Sequence, residues 1–174
     1  MLTNLKVRAR VRVHQERPYA YDKRSGLWTR YEQVGKDEEA GNIVTDAGLV
    51  AIHTYIYGTL GQRTAGGLSG TGLNYIALSN SAAAPAASDT ILDAELSGNG
   101  LDRAAGTVTL PTGAGIATEV EYAFTYIGAS AQGVQKTALF DDSAAGKMAH
   151  EIQFTPRTLV TNDILTLTFT ITLS

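Results

Sequence analysis

Residues 164–173 read ILTLTFTITL, and that run limits the fold more than any other feature of the chain. Leu165, Leu167, Phe169, Ile171 and Leu173 occupy every second position, and Thr166, Thr168, Thr170 and Thr172 fill the gaps. Side chains alternate across a strand with a period of two, so this pattern makes a strand with one apolar and one polar face. Threonine is β-branched and polar, which suits the solvent side of a sheet. The start of the chain repeats the device. In residues 5–14, Leu5, Val7, Ala9, Val11 and Val13 alternate with Lys6, Arg8, Arg10, Arg12 and His14. This second strand should bury one face and carry positive charge on the other. Like charges in a row repel, so the basic face should meet acidic groups or lie in water.

Further strands follow from similar patterns. Thr107, Val108, Thr109 and Leu110 form a short run that stops at Pro111. Residues 118–126 place Val120, Tyr122, Phe124 and Tyr126 on one face and Glu119 and Glu121 on the other. Residues 134–140 and 147–154 read as two more strands, separated by a polar turn at 141–146. Residues 16–36 hold Tyr19, Tyr21, Trp28 and Tyr31 among charges. Asp22, Lys23, Arg24, Ser25 and Gly26 form a turn signal between residues up to Tyr21 and a return strand at 27–31. Many short strands with turns between them predict a mainly β fold. The expected form is an antiparallel β-sandwich or jelly-roll-like domain with one short helix and an extended N-terminal arm. The arm or hairpin is expected over residues 1–40 and the sandwich body over 41–174.

The helix is expected over residues 46–57. Thr45 has the chemistry of an N-cap, Asp46 sits in the first turn, and Leu49, Ile52, His53 and Ile56 form one apolar stripe. His53 is read as a packing residue. The glycine-rich residues 58–72 end without the Gly-Lys-Ser/Thr of a phosphate loop and lead into a strand, so they are read as a surface loop.

Residues 73–103 form the middle of the chain. Tyr75, Ile76, Ala77 and Leu78 make a strand, residues 79–88 a loop of small side chains, and Ile91 to Leu96 an acidic-apolar segment that closes near Arg103. With no reactive side chain in the loop, this stretch is read as a structural staple. Asn74-Tyr75-Ile76-Ala77-Leu78, Ala84-Pro85, Ser88-Asp89-Thr90-Ile91-Leu92 and Glu95-Leu96 belong to a larger pattern. It includes Asn42-Ile43-Val44-Thr45-Asp46-Ala47-Gly48 upstream, then Ala138-Leu139-Phe140-Asp141-Asp142, Gly146-Lys147-Met148-Ala149 and Phe154-Thr155-Pro156 downstream. The pattern resembles a module of structural proteins from tailed bacteriophages, variously capsid decoration, head fibre and tail fibre proteins, and covers roughly residues 41–174. Ser79-Asn80-Ser81 stands where such modules usually have Gly-Thr-Gly, and the expected arginine is displaced to Arg103. The resemblance implies a virion protein, made in the host cytoplasm, that contacts the major capsid protein or other virion subunits and forms a homo-oligomer, often a trimer.

Charge is divided unevenly. The net charge is −3, yet residues 1–36 carry +6 and the rest −9. A basic segment on an acidic body suits contacts between subunits or an acidic partner. Nucleic acid is a poor fit, because the basic strand lacks interleaved aromatic side chains. There is no cysteine, so disulfides, thiolate nucleophiles and cysteine-bound metals are excluded. No apolar window approaches 18 residues, so no transmembrane helix and no membrane partner is expected. His14, His53 and His150 are far apart, and His150-Glu151 lacks the second histidine of a zinc-protease helix. Asp141, Asp142 and Ser143 read as a solvated turn and not as a cation loop. No catalytic, cofactor or metal set emerges. The expected function is a non-enzymatic capsid decoration (cement) protein. A tail, neck or fibre subunit, or a host carbohydrate-binding module, is the alternative. The expected partner-binding residues are Lys6, Arg8, Arg10, Arg12, Leu27, Trp28 and Tyr31.

Overall fold

The computed structural model describes residues 7–41, 43–45, 48, 72–110 and 117–173. Eleven strands lie among them: β1 (Val7–Asp22), β2 (Leu27–Gln33), β3 (Glu38–Gly41), β4 (Ile43–Val44), β5 (Tyr75–Ser79), β6 (Ala104–Ala105), β7 (Thr107–Thr109), β8 (Ala117–Thr125), β9 (Gln132–Phe140), β10 (Met148–Leu159) and β11 (Ile164–Leu173). The first sheet has the order β2-β1-β11-β8-β7, with β3 also on the free edge of β1. The second has the order β4-β10-β9-β5-β6. Every strand pairing is antiparallel. The protein is mainly β, and the two sheets pack as a sandwich.

The two terminal alternations meet each other. Val11 pairs with Phe169 and Val13 with Leu167, while Arg10 faces Thr170 and Arg12 faces Thr168. Register therefore puts both apolar faces on one side of the sheet. Val11, Val13, Val120, Phe124, Leu165, Leu167 and Phe169 are buried, and they share one core with Ile76, Leu78, Leu139, Ile152 and Phe154 of the second sheet. Ile171, at the end of the stripe, is only partly buried.

The boundary at residue 40 does not separate an arm from a body. Residues 7–16 pair with β11 along their whole length, and Val11 and Val13 are core residues. Beyond Glu16, β1 leaves β11 and pairs with β2 alone, so among the described residues the hairpin formed with β2 stands clear of the sandwich.

The second sheet is buried on both faces. Ala77, Ala138, Phe140 and Met148 lie on its outer side, covered by Leu92. Arg103 holds Glu95 with two hydrogen bonds of 3.0 and 2.7 Å, donates to Asp142 O, and lies 3.6 Å above the Phe140 ring. The stretch 73–103 is thus the staple expected of it, with Arg103 closing it. Strand β10 runs past the expected end at residue 154. It carries Pro156 where its pairing with β9 shifts register, which is where a proline without an N–H fits in a strand.

The expected helix lies outside the described residues, apart from Gly48, which is helical. Its N-cap is visible. The Gly48 N–H donates to Thr45 Oγ1 at 3.0 Å, the bond a capping threonine makes to the third helical residue. A Cβ at Gly48 would lie 2.2 Å from Ala149 O, so this position admits only glycine. His53 and residues 58–71 also lie outside the described residues.

His150 is buried, and burial pushes its pKa down to about 4 from 6.5. A base whose folded pKa is depressed stabilises the fold above its unfolded pKa, and that stability is lost as pH falls toward the folded value. Integrating between the two values, His150 should remove about 2 kcal/mol of stability between pH 7 and 5. The Glu151 carboxyl, pushed up to about 6 by burial, changes stability in the opposite sense over the same window. The histidine contribution is therefore read as the difference between wild type and His150→Leu in urea unfolding at the two pH values. Equal pH dependence in the two proteins would refute it.

Candidate partner-binding hairpin

The hairpin turns on Asp22. Its Oδ1 accepts from Arg24 N at 2.9 Å, its Oδ2 from Ser25 Oγ at 2.8 Å, and its carbonyl from Gly26 N at 2.9 Å. These donors hold the Asp22 carboxyl below its usual pKa, the Arg24 N–H first among them. Gly26 has φ +70°, a conformation that favours glycine, so the turn predicted at 22–26 has its chemistry in place.

The stem carries the apolar surface. Tyr21 meets Trp28 edge to face at 5.2 Å between centroids. Leu27 is 65% exposed, Tyr19 55%, Tyr21 52%, Tyr31 41% and Trp28 37%, half of the ten exposed large hydrophobic residues described. Cross-strand pairing sets Tyr21 opposite Trp28, Tyr31 opposite Pro18 and Leu27 opposite Asp22, with register shifts between Pro18 and Tyr21.

The base is clamped from both strands. Arg17 grips the fully buried Asp163 with two bonds of 2.9 Å, and Gln15 Nε2 donates to the same carboxylate at 2.9 Å. Burial alone would raise the Asp163 pKa. Arg17, Val160 N and Gln15 outweigh it, so the carboxyl is held below its usual range and stays charged. On the return side, Val34 N donates to Gln15 O at 2.8 Å, and the Arg157 guanidinium donates to Lys36 O at 2.7 Å. Glu38 lies 3.7 Å from that guanidinium and accepts from Thr155 N. An unsupported two-stranded hairpin is marginal in water, and these contacts supply the missing support.

The seven expected partner-binding residues do not form one patch. Leu27, Trp28 and Tyr31 are on the hairpin. Arg10 and Arg12 are exposed on the outer face of the first sheet, where Glu39 lies 3.7 Å from Arg10 and pairs across from Arg12. His14 Nδ1 donates to Asp37 Oδ1 at 2.6 Å, and its Nε2 lies 3.5 Å from Glu16. These acids, Asp37 foremost, raise its pKa. Part of the basic face is therefore answered within the chain. Arg8 belongs to the strand opposite Thr172, and Lys6 lies outside the described residues. Trp28 pairs with Tyr21, nine positions along β1 from Arg12, which at ~3.3 Å per residue is about 30 Å away.

Sequence reasoning did not single out Gln15, Arg17, Arg157 and Asp163. One signal existed for Arg17: it is the first charged residue at an odd, core-facing position of the alternation. Among the described residues no group of three or more histidine or acidic side chains could hold a metal ion. Asp141 and Asp142 instead accept from Lys147 N and Ala144 N within their own turn. No helix of the described residues is long and apolar enough to cross a membrane. No family model, curated protein or solved structure matches the chain.

Proposed function

We propose that the protein is a non-enzymatic structural subunit of a bacteriophage virion, a capsid decoration protein that docks through the hairpin at 17–33. The observation that carries this reading is the concentration of exposed aromatic and aliphatic side chains on a projecting hairpin with a rigid base. Exposed Trp and Tyr beside Arg are the composition of interface hot spots. A pre-ordered hairpin also loses little entropy when it docks. The resemblance of residues 41–174 supplies the class of partner, the major capsid protein. A decoration subunit that binds assembled lattice in preference to free subunits stabilises that lattice by mass action. A carbohydrate platform is less well supported, because Tyr21 and Trp28 meet edge to face and present no shared flat surface.

Exposed ion pairs contribute only about 0–1 kcal/mol each, so burial of the hairpin must supply most of the affinity. Tyr31→Ala and Trp28→Ala should each weaken attachment by about thirtyfold, the ~2 kcal/mol of a hot-spot residue. The measurement is co-sedimentation with particles lacking the protein, and raised salt should weaken it only in part. A variant with the hairpin replaced by a short turn between Arg17 and Glu32 keeps the core strand and should not bind. If it stays on particles as well as wild type, the hairpin is not the docking element. Image reconstruction of the particle separates a head address from a tail, neck or fibre address.

A further inference from the structure

Away from the hairpin, one cluster of ionisable groups lies under the stretch 79–96, on the outer face of the second sheet. Lys136 of β9 and Glu151 of β10 are both fully buried, their side chains 1% exposed. Lys136 Nζ lies 2.7 Å from Asp93 Oδ1 and 3.0 Å from Glu151 Oε1. Lys136 and Asp89 are the groups that face the Glu151 carboxyl among the described residues. Asp93 is held from two sides: Ser79 Oγ donates to its carbonyl at 2.6 Å, and Ser81 Oγ donates to its Oδ2. That leaves Oδ1 turned toward the amine. A cleft of about 320 Å³, lined by Asp89, Ile91, Asp93 and Lys136 among others, opens beside the contact.

One ammonium faces two carboxyl groups, with Asp89 as a third acid nearby. A buried carboxylate is costly unless it is paired, and Glu151 shares the Lys136 ammonium with Asp93. Burial pushes the Glu151 pKa up to about 6 against the pull of Lys136, with Asp89 adding to the rise. The site therefore holds an amine, a carboxyl carbon within one bond length of the atom it contacts, and an acid able to accept and return a proton. Well-oriented intramolecular reactions reach effective concentrations of about 10⁵–10⁸ M, which makes an otherwise slow condensation accessible.

We propose that Lys136 and Asp93 join in an intramolecular isopeptide bond, with Glu151 as the proton-transfer group. Glu151 takes a proton from the Lys136 ammonium. The freed Nζ lone pair attacks Asp93 Cγ, and the Ser81 hydroxyl stabilises the oxyanion that forms on Oδ2. Glu151 passes its proton to the departing Oδ1 oxygen, which leaves with a second amine proton as water through the cleft. The Cγ–O bond breaks, the Nζ–Cγ amide bond forms, and Glu151 ends in its starting state. Ammonium and carboxylate become amide and water, with no oxidant or reductant. The product is uncharged, so the site no longer has to bury an ion pair. The bond ties the stretch 79–96 covalently to the sheet it covers and closes a loop between positions 43 apart in the chain.

The test is the mass of the full-length chain after denaturation. The chain should be lighter than its sequence by one water molecule. A protease digest should contain a branched peptide that joins the segment bearing Asp93 to the segment bearing Lys136. Glu151→Gln and Asp93→Ala should both have the full sequence mass. Asp93 is half-exposed, so its replacement leaves a folded chain even if loss of Glu151 does not. Wild-type protein at the full sequence mass after prolonged incubation at neutral pH overturns the proposal. So does a water loss that persists in Asp93→Ala, or one that maps to other residues.

Discussion

Phe169→Ala is expected to lower stability by about 3–5 kcal/mol, the loss for deleting a buried ring. Phe169 is fully buried at the middle of β11, between Val11 of β1 and Val120 of β8. Strands flank the position on both sides, so the gap left by the ring cannot collapse without moving the sheet. Domains are stable by only about 5–15 kcal/mol, so the change should move the urea midpoint far below that of wild type. The neighbouring Thr170→Ala, on the outer face, should change stability by about 0.5 kcal/mol or less. A loss below about 1 kcal/mol for Phe169→Ala would mean that the two sheets do not share the core described.

Asp163→Ala is the second large effect. Its carboxylate is fully buried and accepts from Arg17, Gln15 and Val160 N. Breaking a buried ion pair by removing one partner costs about 3–5 kcal/mol when the other charge is left buried. Arg17 is 37% exposed and can turn toward water, which puts the expected loss at about 3 kcal/mol. The same change should loosen the base of the hairpin, so hydrogen exchange in 17–33 should rise more than in β8 or β9. Equal acceleration everywhere would show that the carboxylate supports the sandwich as a whole and not the hairpin.

The most regular segments were the most legible. The alternation in 5–14 and 164–173 carries its own burial pattern, because a period of two leaves no other face for Val11, Val13, Leu167 and Phe169. Asp22 and Gly26 specify their turn locally, through a side-chain acceptor and a residue free to adopt positive φ. Thr45 specifies a helix start in the same way. The division into arm and body failed for a definite reason. Alternation says that a strand has an apolar face, but not which sheet receives it, and the basic face of β1 drew attention to charge where pairing with β11 decided the outcome.

Side-chain chemistry between distant segments was not legible at all. Arg17 and Asp163 are 146 positions apart, and Lys136 and Asp93 are 43 apart. No local spacing joins either pair, because β-sheet register, not sequence distance, brings them together. The amino-acid sequence by itself determined that the chain is mainly β, which faces of its strands are apolar, and that the aromatic segment at 27–31 returns as a hairpin. Only the tertiary structure decided that β1 is a core strand, that the hairpin at 17–33 projects, and that a buried lysine sits between two acids. Alternation is a property of one strand, whereas a buried charge finds its partners only after several strands have been placed side by side.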